Sequence, residues 1–104
     1  MSQLSTHVLD SAVGRPAAGV PVALFQNGEL LAEGKTDSDG RVSSLGPELL
    51  APGGYTLLFD TAAYFAGRPS FYPRVIIDFM ITGPEHYHVP LLLSPFAYST
   101  YRGS

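Results

Sequence analysis

Nine prolines and eleven glycines are scattered along 104 residues, so no stretch is left that could carry more than a short helix. Between these breaks lie short segments rich in Val, Leu, Ile, Phe and Tyr, side chains that suit a pleated and half-buried surface. Short strands at close spacing between Gly and Pro turns predict an all-β sandwich or barrel. The strands are expected at 4–10, 20–26, 29–36, 41–45, 55–60, 73–81 and 87–94, with a further edge strand in FAYSTY. Asn27-Gly28 joins the second and third as an antiparallel hairpin, because both residues tolerate the positive φ that a tight hairpin turn requires. The alanines of TAAYFAG, 61–67, allow one short helix capped by Thr61. The loop SAVGRPAAG is expected to be irregular throughout.

The period of two assigns faces. Val75, Ile77, Phe79 and Ile81 share one side of their strand, and Tyr87, Val89, Leu91 and Leu93 share one side of theirs. The opposite side of the latter holds His88, Pro90, Leu92 and Ser94, where a monomeric sandwich would be polar. An apolar outer face with one titratable group predicts a subunit interface that contains a site, hence a homo-oligomer.

Composition narrows the function. With 45% hydrophobic residues and a formal charge of −3, the chain is apolar enough for one folded domain over 1–104. Six Lys and Arg without a cluster disfavour nucleic acid. No segment reaches the ~18 apolar residues of a membrane helix, and MSQLSTHVLD lacks the basic start and apolar stretch of a secretory signal. A cytoplasmic protein without a membrane partner is expected. The absence of Cys removes disulfides, thiolate metal sites and cysteine nucleophiles.

Few side chains remain that could carry chemistry. His7 lies mid-strand on the face of Ser5 and Leu9, as either an ordinary strand histidine or an acid-base group. His86 and His88 form H-x-H, which puts both on one side if the strand includes both; otherwise His88 alone faces the site and His86 ends the loop. A closed zinc site would also need carboxylates, and no metal is expected. Arg41 follows a turn glycine, as a solvated arginine or as a planar donor fork for an oxyanion or ring carbonyls. Ser104 offers a hydroxyl and, as the last residue, a carboxylate. No G-x-S-x-G motif occurs, so a hydrolase built this way would activate water.

LSTHVLD, TDSDGR and HYHVPLLLSPFAYSTYRGS, with YFAG and FYPRV between them, span nearly the whole chain. In these stretches, and above all in the closing Y-R-G-S, the sequence resembles the 5-hydroxyisourate hydrolases of the transthyretin-like protein family, which act after urate oxidase in purine degradation. The resemblance implies a transthyretin-like two-sheet β-sandwich of about eight strands with one short helix, assembled as a homotetramer that is a dimer of dimers. It places active sites at the dimer-dimer interface, with His7, Arg41, His88 and Ser104 as catalytic residues and Tyr101, Arg102 and Gly103 as substrate-binding residues. The implied substrate is the small molecule 5-hydroxyisourate, with no cofactor. Thyroid-hormone-carrying transthyretin shares the fold without this His, Arg, His and Y-R-G-S set. The alternative is accordingly a non-catalytic transthyretin-like binding protein for a small aromatic ligand.

Overall fold

The computed structural model describes residues 2–104 and arranges them as two sheets around one core. In chain order the elements are β1 (Leu4–Asp10), β2 (Arg15–Pro16), β3 (Pro21–Gln26), β4 (Glu29–Lys35), β5 (Arg41–Val42), β6 (Gly53–Phe59), α1 (Thr61–Phe65), β7 (Val75–Ile81), β8 (Tyr87–Leu93) and β9 (Tyr98–Thr100). One sheet runs β2-β1-β8-β9, with β5 also on β1; the other runs β4-β3-β6-β7. Nine strands are thus found among the described residues where about eight were expected, and two of them are only two residues long.

The alternating faces come out as their period dictates. Tyr87, Val89, Leu91 and Leu93 are buried from one sheet, and Leu24, Leu57, Phe59, Val75 and Ile81 from the other. Each such side chain contributes roughly 1.5–3 kcal/mol by leaving water. Asn27 and Gly28 have φ of 52° and 77°, and Gln26 pairs with Glu29 across them, the two-residue hairpin that the dipeptide favours.

Four local expectations are corrected. The loop SAVGRPAAG is not wholly irregular: Arg15 and Pro16 pair with Asp10 and Leu9, on an edge where proline's missing N–H goes unused. The strand expected at 41–45 stops at Val42: its ladder partners are Thr6 and His7, and Leu45 then turns into the core. Thr61 is not the helix cap. Asp60 is, its Oδ1 accepting from Ala63 N at 3.0 Å, while the Thr61 hydroxyl donates to Tyr72 O at 2.6 Å. Pro90, expected on an outer face that a second subunit covers, is already buried within the chain, with Gly103 of the segment that follows β9 against it.

That segment positions the site. β8 is paired on both flanks, where a proline would leave a ladder bond unmade. The ladder with β9 runs as far as Leu91–Thr100, lapses beside Pro90, and is resumed in the same register by a bridge between His88 and Gly103. The Thr100 hydroxyl donates to Pro90 O at 2.7 Å, and Gly103 N donates to His88 O at 2.8 Å. Residues 101–103 thereby continue the β9 edge alongside β8 and bring Ser104 to the site.

Candidate active site

β1 and β8 run parallel, with Ser5 beside His88, His7 beside Pro90 and Leu9 beside Leu92. On the other side of β1, Arg41 of β5 stands opposite His7. Three strands and the closing segment therefore converge on one patch. A cavity of about 260 Å³ opens there, lined by Arg41, Ser43, His86, His88 and Ser104, with Ser5 and Thr6 at its floor.

Arg41 is aimed by its turn. Asp37 Oδ1 accepts from both Asp39 N and Arg41 N at 2.9 Å, and Gly40 N donates to Asp37 O at 2.9 Å. Gly40 has φ of +75°, and a Cβ there would meet Val8 O at 2.4 Å. Only glycine satisfies both constraints. Among the described residues the Arg41 guanidinium has no carboxylate partner, which leaves its donor fork available to oxygens entering the cavity.

The two histidines of H-Y-H meet at one hydroxyl. Ser5 Oγ lies 2.7 Å from His86 Nε2 and 2.8 Å from His88 Nδ1. The strand begins at Tyr87, so His86 does end the preceding loop, but it lines the cavity as well as His88. That loop is held by Gln3, a buried side chain whose amide donates to Gly83 O at 2.7 Å and Glu85 O at 3.0 Å while its Oε1 accepts from Leu50 N at 2.8 Å. Neither Ser5 nor Gln3 stands out in the sequence. The parallel pairing of β1 with β8 gives Ser5 its importance, and period alone cannot reveal a pairing partner.

Half-buried His88 is held below the ordinary imidazole pKa of 6.5, first by desolvation and then by the neighbouring Arg41, His7 and His86 charges. It is therefore neutral at neutral pH and able to accept a proton. Gly103 presses on it: a Cβ at that position would stand 2.6 Å from His88 Cδ2 and 3.2 Å from Pro90 Cγ. Here glycine is required by space rather than by backbone angle.

Of the expected site residues, the fold gathers Arg41, His88 and Ser104 around the cavity, with the Gly103 backbone against His88. His7 stands at its margin, with Nε2 2.9 Å from Asp39 O, and acts on His88 through its charge. Tyr101 and Arg102 face elsewhere. They line an apolar groove with Ile77, Phe79 and Met80, where the Arg102 guanidinium sits 4.5 Å above the Tyr87 ring and 3.5 Å from Glu85. No group of three or more His, Asp or Glu side chains disposed to hold a metal ion occurs among the described residues. A larger hollow of about 490 Å³ crosses β3 and β4, but it holds no histidine or arginine, so its size does not make it the better candidate.

The profile of the HIUase/Transthyretin family matches residues 4–103. The chain belongs to that family. A 5-hydroxyisourate hydrolase of Caulobacter vibrioides is 48% identical over 115 residues, which cover all of both chains. The solved structure of Klebsiella pneumoniae 5-hydroxyisourate hydrolase superimposes with a TM-score of 0.93 at 46% identity, again over the whole of both chains. Transthyretin from Sparus aurata superimposes with a TM-score of 0.88 at 32% identity, over 99% of this chain and 97% of that one. Members of the HIUase/Transthyretin family with two different names thus share this two-sheet fold. Its architecture does not distinguish their roles; the side chains on the outer face do.

Proposed function

We propose that the protein hydrolyses 5-hydroxyisourate to 2-oxo-4-hydroxy-4-carboxy-5-ureidoimidazoline in urate degradation, as a cytoplasmic homotetramer. The observation that carries this reading is one small polar cavity lined together by half-buried His88, Ser104 and Arg41, whose guanidinium has no carboxylate partner among the described residues. Ring opening at an amide carbonyl requires a water to lose a proton as it attacks and the carbonyl oxygen to carry negative charge. His88 takes the proton, a general-base role typically worth ~10²–10⁴ in rate. Arg41 faces the oxygen, and a fixed donor at that position contributes roughly 3 kcal/mol. His7 assists from the rim, Ser104 orients the water or the substrate, and Gly103 allows the close approach of the closing segment to His88. Tyr101 and Arg102 hold the closing segment in place, Arg102 through Glu85 and the face of the Tyr87 ring.

The test is direct. Purified protein added to freshly generated 5-hydroxyisourate is expected to accelerate the decay of its ultraviolet absorbance in proportion to protein concentration. A binding protein for an aromatic ligand would leave the decay at its spontaneous rate.

A further inference from the structure

One hydroxyl between two imidazoles has a consequence for how a proton can move. Ser5 Oγ has a single hydrogen, yet it lies within hydrogen-bond reach of a nitrogen on each ring, at 2.7 Å from His86 and 2.8 Å from His88. It can donate to only one of them, so it must accept an N–H from the other. The tautomers of the two rings are thereby linked. When Ser5 accepts from His88 Nδ1, the Nε2 of His88 is bare and basic, and the serine proton rests on the lone pair of His86 Nε2. When Ser5 donates to His88 Nδ1, its acceptor bond comes from His86 Nε2–H, and His88 carries its own proton on Nε2.

We propose that Ser5 is a positioning residue that sets the basic tautomer of His88 and relays its proton to His86 during turnover. This rests on the reading of His88 as the base. As His88 Nε2 takes a proton from water, its Nδ1 proton passes to Ser5 Oγ, and the Ser5 hydroxyl proton passes to His86 Nε2. His88 is then neutral with a proton on Nε2, and His86 is the cation. When the leaving ring nitrogen takes the Nε2 proton, the reverse transfer through Ser5 restores Nδ1–H, so the water proton ends on the product and both histidines return to their starting state. Surroundings favour this placement of charge. His88 is half-buried with Arg41 and His7 nearby, whereas His86 is exposed and its cation is hydrated. Ser5 itself is only 9% exposed, so bulk water does not readily replace its hydroxyl.

The test combines kinetics with ¹⁵N spectra of histidine-labelled full-length protein, in which imidazole shifts distinguish Nδ1–H from Nε2–H. Wild-type protein is expected to show His88 as the Nδ1–H tautomer. Ser5→Ala should mix its tautomers and lower kcat about 10- to 100-fold with KM little changed. Ser5→Thr, which keeps the hydroxyl, should restore both signals to near wild type. His86→Gln preserves a partner for Ser5 but cannot take the proton, and should lower kcat alone. The double variant Ser5→Ala with His86→Gln should be no slower than the slower single variant, as expected of residues acting as one unit. Wild-type kcat and tautomer in Ser5→Ala, beside an inactive His88→Ala, would overturn the relay and leave the hydrolase reading standing. Full activity in His88→Ala would instead remove the reading beneath it. Should Ser5→Ala fail to fold, a wild-type kcat in His86→Gln overturns the relay by itself.

Discussion

At the scale of single residues, the site depends on two positions where a side chain is tuned by what surrounds it. His88 is depressed below 6.5 by burial and by the cations near it. An NMR titration should therefore place its midpoint below 6.5, and Arg41→Ala should raise that midpoint, since removing a nearby cation favours the imidazolium. The unfolded chain binds more protons at this site between the two values, so its contribution to stability is present above the unfolded value and is lost as pH falls through the folded one. Gly103→Ala tests the contact on the other side of the ring. Because the added Cβ would stand 2.6 Å from His88 Cδ2, the imidazole or the closing segment must shift, and turnover should fall at least about tenfold, since small misplacements at a reacting centre are costly. Wild-type turnover in that variant would show that the ring's position is not critical. His88, Arg41 and the Y-R-G-S stretch were legible in the sequence as motif positions. Ser5 and Gln3 were not, because their roles arise from partners more than 40 residues away in the chain.

At the scale of elements, β1 is the organiser: it pairs with β2, β5 and β8 and brings the last two to the site. Its first half, Leu4 to Thr6, is buried on both faces, and buried and half-buried residues alternate only from Thr6 to Asp10. The two-residue strands β2 and β5 were less legible, since neither contains enough residues to show a period. What fixes β5 is the turn before it. Gly40→Ala should destabilise the protein by roughly 2–5 kcal/mol, combining left-handed backbone strain with a clash against Val8 O. Gly19→Ala is its control. That glycine also has positive φ, at +77°, but nothing lies within 4 Å of the added carbon, so about 1 kcal/mol is expected. Urea unfolding of the two variants measures the difference, and equal losses would show that the approach of β1 to the turn does not constrain position 40.

At the scale of the whole molecule, the two-sheet sandwich was readable from alternation and turn chemistry, whereas the way the closing segment covers Pro90 was not. A proline in a doubly flanked strand argues against pairing there, and the ladder meets it by lapsing beside Pro90 and resuming at His88–Gly103. Leu9 and Leu92 lie side by side on the same face of β1 and β8 as Ser5 and His88. If subunits meet on that face in the proposed tetramer, Leu92→Glu should give a smaller species than the parent protein in light scattering and reduce activity with it; an unchanged mass would place the interface elsewhere. The central claim, that the His88 imidazole and the Arg41 guanidinium in one cavity activate water, is tested most directly by the absorbance decay of 5-hydroxyisourate with His88→Ala and Arg41→Ala at matched concentration. Each is expected to lose at least about a hundredfold in kcat/KM at unchanged melting temperature and mass. Near wild-type decay with either variant would contradict the account.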